Sequence, residues 1–369
     1  MKKNLLVRIW NAAVFTSMLL FLQCSVPQAS DEIPITSNSE EAINLFLEGR
    51  ELIENIKTTQ AAKLFDRAIA LDPDFALAYF YRGFYSGGDY KESRENMSKA
   101  ADLIDKVSEG EKHLILFGMA VADNDGTKQK SELNELLKLF PKDKRVQISA
   151  GAYYQYFNQN YKKSLEYYNN AVNIDPNYAE SYNMLGYLNI KMNNYADAEK
   201  AFKKYISLLP NEANPYDSYA EFLLQRGKYH ESITNYEKVY NIDPTFVSAL
   251  SGIGNNYIFM GEFDKAREYY EKYYTNASST YAKMNALFLK ATSYLYEEKM
   301  ENALVVFEER VSFAKVSESP ITAIYSYKNA AFALDVAGQY DRATEYYKKA
   351  EDLIMEAEIE EADRITAQV

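Results

Sequence analysis

Small and apolar residues recur along this chain at i, i+3, i+7 and i+10, a spacing that lines them up on one face of a helix. Tyr340, Ala343, Tyr347 and Ala350 follow it, as do Tyr90, Ser93, Met97 and Ala100, with a shorter version in Met300, Ala303 and Phe307. In the middle of the chain the same face returns at steps of 34. Tyr161, Tyr195, Tyr229 and Phe263 form one series; Ser164, Ala198, Ser232 and Ala266 a second; Tyr168, Phe202, Tyr236 and Tyr270 a third. Ala152, Gly186, Ala220 and Gly254 make a fourth, and Pro176, Pro210 and Pro244 a fifth. Five series in one register predict a helical hairpin per period. A proline closes each hairpin, because it has no N–H to continue the ladder. Gly227, Gly261 and Gly338 mark turns inside hairpins. A helix pair of this length cannot bury its own apolar face, so each pair must stack on its neighbours.

Outside the regular array the register slips. Between Ala101 and Asp143 the reading is a degenerate hairpin: Ser108 with Glu111 caps one helix, Asp123 to Gly126 turns the chain, and a second helix ends at Pro141. Asn38 with Glu41 supplies a capping box that starts the folded body near Ser39. Ahead of it, Ser25 to Glu40 holds two Pro, several Ser and no helical period, and reads as a flexible tether. The expected organisation is a leader over 1–23, a tether over 24–38, divergent hairpins over 39–144, the regular array over 145–278, and further hairpins with a charged capping helix over 279–369.

The stretches AEKAFKKYISLLP, ending at Pro210, and AAKLFDRAIALDP, ending at Pro73, resemble the second half of the tetratricopeptide repeat. Its first half is matched by Leu185-Gly186 and by Ile253-Gly254 with Tyr257, while Tyr182 and Tyr216 stand where the motif prefers Trp. The resemblance covers most of Ala42 to Ala350. It implies an all-α fold, an α-solenoid of about eight or nine hairpins in a right-handed superhelix, and a non-enzymatic protein-protein interaction scaffold or adaptor. Asn214 to Ile233 (NPYDSYAEFLLQRGKYHESI) is similar to a phrase found in a group of bacterial tetratricopeptide proteins.

The N-terminus adds a destination. Lys2, Lys3 and Arg8 precede an apolar run from Ile9 to Leu22, too short to span a bilayer comfortably and suited to a secretory signal. Directly behind it stands Cys24, the only cysteine of the 369 residues, which has no partner for a disulfide. Residues 1–30 resemble the leader and lipobox of bacterial lipoproteins, although Phe21, Leu22 and Gln23 depart from the usual pattern. The implied product is exported to the cell envelope and membrane-anchored through a lipid on Cys24. The whole chain carries a net charge of −12; loss of the leader removes three positive charges and no acidic residue, leaving −15. An acidic body argues against nucleic-acid partners, which require Lys and Arg patches, and favours basic ones.

Sites for chemistry are few. His113 and His230 are the only histidines and read as surface or packing residues. Asp123, Asp125, Gly126 and Glu132 fall on places three, five, six and twelve of a calcium loop, but Val121 holds the first ligand place, so a polar turn is the reading there. No metal or cofactor is expected. What remains is the inner face, where residues 34 apart on the first helices stand side by side: Ser149, Asn183, Asp217 and Ser251, then Tyr153, Tyr187, Glu221 and Asn255. These columns are polar, weakly acidic and partly aromatic, unlike the Lys- and Asn-rich carboxylate clamp of chaperone-binding repeats. Asn183, Tyr187, Asp217, Glu221 and Asn255 are the expected partner-binding groove, suited to an extended peptide with basic side chains. The alternatives are a capture component for peptide or glycan, and a hydrolase with groove carboxylates.

Overall fold

The computed structural model describes residues 31–54, 57–86, 90–317 and 319–356. The leader, Cys24, the first part of the tether and the tail beyond Glu356 lie outside them. Among the described residues there are eighteen α-helices and no strand, paired as nine antiparallel hairpins.

The chain divides into two compact units, 1–176 and 177–369. In unit 1 the hairpins are α1 (Glu40–Glu54) with α2 (Thr58–Leu71), α3 (Ala76–Phe84) with α4 (Tyr90–Asp102), α5 (Glu109–Ala122) with α6 (Gly126–Leu139), and α7 (Lys144–Ala152) with α8 (Tyr161–Ile174). In unit 2 they are α9 (Ala179–Lys191) with α10 (Tyr195–Leu208), α11 (Ala213–Gln225) with α12 (Tyr229–Ile242), α13 (Ser248–Phe259) with α14 (Phe263–Asn276), α15 (Thr280–Tyr296) with α16 (Met300–Val316), and α17 (Pro320–Val336) with α18 (Tyr340–Glu356). The division falls inside the stretch read as one regular array, and the boundary drawn at 144/145 falls in the first turn of α7. The charged residues 351–356 continue α18, and the rest of the charged tail lies outside the described residues.

The hairpin joints follow from local chemistry. Pro73, Pro141, Pro176, Pro210 and Pro244 each stand two residues beyond the end of α2, α6, α8, α10 and α12. Inside the hairpins a residue with positive φ reverses the chain: Asn124, Gln159, Asn193, Gly227, Gly261, Glu298 and Gly338. The next N–H then bonds back across the turn, as from Asn194 to the Asn189 carbonyl at 2.8 Å and from Lys228 to that of Leu223 at 2.9 Å. Sequence marked the three glycines and the turn holding Asn124, but not Gln159, Asn193 or Glu298, because φ near +60° costs an L-residue about 1–2 kcal/mol and is easiest for glycine. Ser108 and Glu111 form the expected capping box on α5. At α1 the cap is Ser39, whose Oγ accepts from the Ala42 N–H at 3.2 Å, and not Asn38.

Close approach of the two helices in a hairpin rests on small residues facing rings. A Cβ at Gly186 would lie 2.5 Å from Phe202 ring atoms, and one at Gly254 2.4 Å from Tyr270. The equivalent residue in α7 is Gly151, against Tyr168, and not Ala152. A π-turn over Tyr153–Phe157 inserts one residue after α7. Ser164 therefore reaches the Gly151 carbonyl across 13 residues, where Ser232 reaches that of Ala220 across 12. The same offset buries Tyr153, expected on the inner face, at a T-shaped ring contact with Tyr154 and a stack on Phe157. In unit 1 the core opens on Phe46, Phe65, Phe75 and Tyr81, with ring centroids 5.0–5.8 Å apart. In unit 2 a typical layer joins Ala220, Ile233, Tyr236, Val239 and Ile253.

Candidate functional site

The five groove residues expected from sequence fall on the first helices of three successive hairpins in unit 2: Asn183 and Tyr187 on α9, Asp217 and Glu221 on α11, Asn255 on α13. All five are half-buried. A repeat places residues 34 apart beside one another, and the Tyr187 hydroxyl donates to Glu221 Oε2 at 2.9 Å across that interval. Glu221 Oε1 also accepts from Gln225 Nε2 at 3.2 Å. The Tyr187 ring is held edge-on to Phe202 at 5.3 Å, so its position is set by the layer beneath it.

Asp217 lies one turn ahead of Glu221 on α11. Burial first, and the Glu221 charge second, push its carboxyl up to about 7. Burial, then the charge of Asp217, holds the Tyr236 hydroxyl on α12 well above the ordinary tyrosine range. The Tyr187 hydroxyl is raised in the same way, by burial and then by Glu221. Asn183 Oδ1 is buried and has no hydrogen-bond partner among the described residues. Asn255 does not join the others: its Oδ1 accepts from the Tyr270 hydroxyl of its own hairpin at 2.8 Å. The site is therefore a core of Tyr187, Asp217 and Glu221 with Asn183 on one side. Tyr236, which feels the charge of Asp217, was not expected at this site; only its place in the third series pointed to it.

Other candidates resolve into structure. Asp123 to Gly126 is the turn between α5 and α6, where Asp125 Oδ1 caps α6 by accepting from the Lys128 N–H at 3.0 Å. Glu132 pairs instead with His113 Nδ1, 2.6 Å away. His230 is exposed. Among the described residues no group of three His, Cys, Asp or Glu is placed to hold a metal, and no helix is long and apolar enough to cross a membrane.

Family profiles described as tetratricopeptide repeat match residues 46–105, 167–200, 213–246 and 247–280. No curated protein matches the chain. Among solved structures, yeast Tom70 is similar at 19% identity over 87% of this chain and 70% of its own, with a TM-score of 0.51. A tetratricopeptide repeat protein from Parabacteroides merdae is 18% identical over 74% of this chain and 94% of its own, with a TM-score of 0.46. PilW, a widely conserved type IV pilus biogenesis factor, is 18% identical over 54% and 91%, with a TM-score of 0.46. At 19% identity the likeness to Tom70 concerns the fold alone.

Proposed function

From the premise that this chain is built of tetratricopeptide repeats, we propose that it is a protein-interaction scaffold whose partner lies on α9 and α11, at Tyr187, Asp217 and Glu221. The supporting observation is the carboxylate pair. Asp217 and Glu221 face one another's charge in a partly desolvated setting, and among the described residues neither has a Lys or Arg paired with it. A basic side chain of an extended peptide removes that repulsion.

We place the scaffold in the cell envelope, exported by its leader and held to the membrane by lipid on Cys24. Acylation at Cys24 would be read by mass spectrometry of the mature N-terminus; an intact Met1 would refute it. Affinity purification from membranes is expected to co-elute a stoichiometric protein partner. Asp217→Ala with Glu221→Ala should weaken that partner's binding at least tenfold, and full recovery by the double variant removes the groove assignment. Because a cation lowers the pKa of Asp217 from about 7, binding near neutral pH should also release protons, seen calorimetrically as a heat that depends on the buffer.

A further inference from the structure

Residues 31–38, Asp-Glu-Ile-Pro-Ile-Thr-Ser-Asn, were expected in a flexible tether, and the structure instead lays them as an extended segment against unit 1. Burial alternates along them: Ile33, Ile35 and Ser37 are half-buried, while Glu32, Pro34, Thr36 and Asn38 are exposed. That is the period of a strand, yet no sheet receives it. Its backbone donors go to carboxylates in or beside the joints that lead into three successive hairpins. The Ile33 N–H donates to Asp143 Oδ2 at 2.9 Å, the Thr36 N–H to Glu111 Oε1 at 2.7 Å, and the Asn38 N–H to Asp72 Oδ2 at 2.8 Å. The Thr36 and Ser37 hydroxyls donate to Glu111 Oε2 and Asp72 Oδ2 at 2.5 and 2.6 Å.

These acceptors are built in. Asp143, Glu111 and Asp72 are 1%, 0% and 5% exposed, and a carboxylate buried that far is costly unless its lone pairs are filled. Each is fixed by a local bond as well, from Arg145 N–H, Ser108 and Asp74 N–H respectively. The stride also fits. Five extended residues from Ile33 to Asn38 cover about 17 Å at about 3.3 Å each, close to two helix spacings of about 8–10 Å. Ile33 and Ile35 point into a small cavity of about 40 Å³ lined by Phe46, Leu77, Tyr81 and Leu114. Asp31 and Glu32 pair at the outer end with Lys142 and Arg145, at 3.4 and 3.2 Å.

We propose that the inner face of unit 1 is a peptide-binding groove which reads an extended backbone with one carboxylate per hairpin, and that residues 31–38 occupy it as a displaceable intramolecular ligand. The groove takes peptides of the segment's own chemistry: two acidic residues, then alternating β-branched residues, then paired hydroxyls. This does not depend on the reading of α9 and α11.

The test uses the full chain and a labelled peptide of the sequence of residues 31–38. Ile33→Asp, Ile35→Asp and Thr36→Pro together remove the two apolar anchors and one N–H donor without touching a helix. Fluorescence anisotropy is expected to show the peptide binding the triple variant at least tenfold more tightly than the unaltered chain. A helical triple variant that does not bind, or equal binding to both chains, overturns the proposal. Amide exchange on the unaltered chain is an independent check. The Ile33, Thr36 and Asn38 amides should open locally, before those of α5 and α7. If they exchange only on global unfolding, the segment is a permanent part of the fold and the proposal fails.

Discussion

At the scale of single residues, the acidity of Asp217 has a consequence for stability. The native carboxyl, raised to about 7, keeps a proton that the unfolded chain has lost above about pH 4. Stability therefore falls as pH rises from about 4 to about 7, by at most a few kcal/mol because the side chain is only partly shielded from water. Asp217→Asn should flatten that fall, so that its melting temperature exceeds the parent's by a few degrees at pH 8 and matches it near pH 4; parallel profiles would contradict the assignment. Asp72 has the opposite sign. Burial raises its carboxyl, but hydrogen bonds from Ser37 and from the Asn38 and Asp74 N–H groups outweigh this and hold it below the usual range. Its stabilisation is present above about pH 4 and lost as pH falls through the native value. The Asn38 amide resonance should shift with the Asp72 carboxyl, at a midpoint below the ordinary aspartate value of about 3.9. Tyr187 beside Glu221 was legible in the sequence because a 34-residue period fixes which side chains are neighbours. The second use of Glu111, beyond its capping box with Ser108, was not, since its partner Thr36 lies 75 residues away in a segment with no repeat.

Among the elements, hairpins were legible wherever a small residue, a ring and a closing proline keep their spacing, since each enforces one step of the geometry. The π-turn at Tyr153–Phe157 was hidden because one inserted residue leaves local composition unchanged while rotating everything ahead of it. Ala152 was accordingly taken for the packing position that Gly151 holds. The weight of that position is measurable at Gly186. A methyl group there would come within 2.5 Å of the buried Phe202 ring, which is itself wedged against Tyr187 and Phe222 and has little room to withdraw. Overpacking of this kind costs about 1–3 kcal/mol. Gly186→Ala should lower the urea midpoint accordingly, with the slope unchanged, whereas an unaltered midpoint would show that the hairpin yields at no cost. Ala220 occupies the corresponding place on α11, so Ala220→Gly is the control, expected to cost about 1–2 kcal/mol through helix propensity and the loss of one buried methyl.

For the molecule as a whole, the period that reveals the repeats conceals their grouping. Pro176 belongs to the same series as Pro210 and Pro244, yet the chain divides at 176/177. Each unit holds buried layers of its own: Phe46 to Ile115 in unit 1, and layers from Ala198 to Ile354 in unit 2. In a stack of repeats, stability is a sum of hairpin terms and nearest-neighbour interfaces, so a cut between hairpins leaves all the internal interfaces on either side intact. Residues 31–176 and 177–356, produced separately, should each give a helical circular dichroism spectrum and a cooperative melt. An unfolded product from either would mean that the units do not carry their own stability. The start of the first fragment matters as well. Beginning at Ser39 instead of Asp31 strips the hydrogen bonds that Asp143, Glu111 and Asp72 receive from Ile33, Thr36, Ser37 and Asn38. Water enters in their place, so the loss is the net value of each bond, about 0.5–1.5 kcal/mol, not the larger penalty of a carboxylate sealed without a partner. Fragment 39–176 is thus expected to fold with a melting temperature several degrees below that of 31–176, and to regain most of the difference when the missing segment is supplied as a peptide.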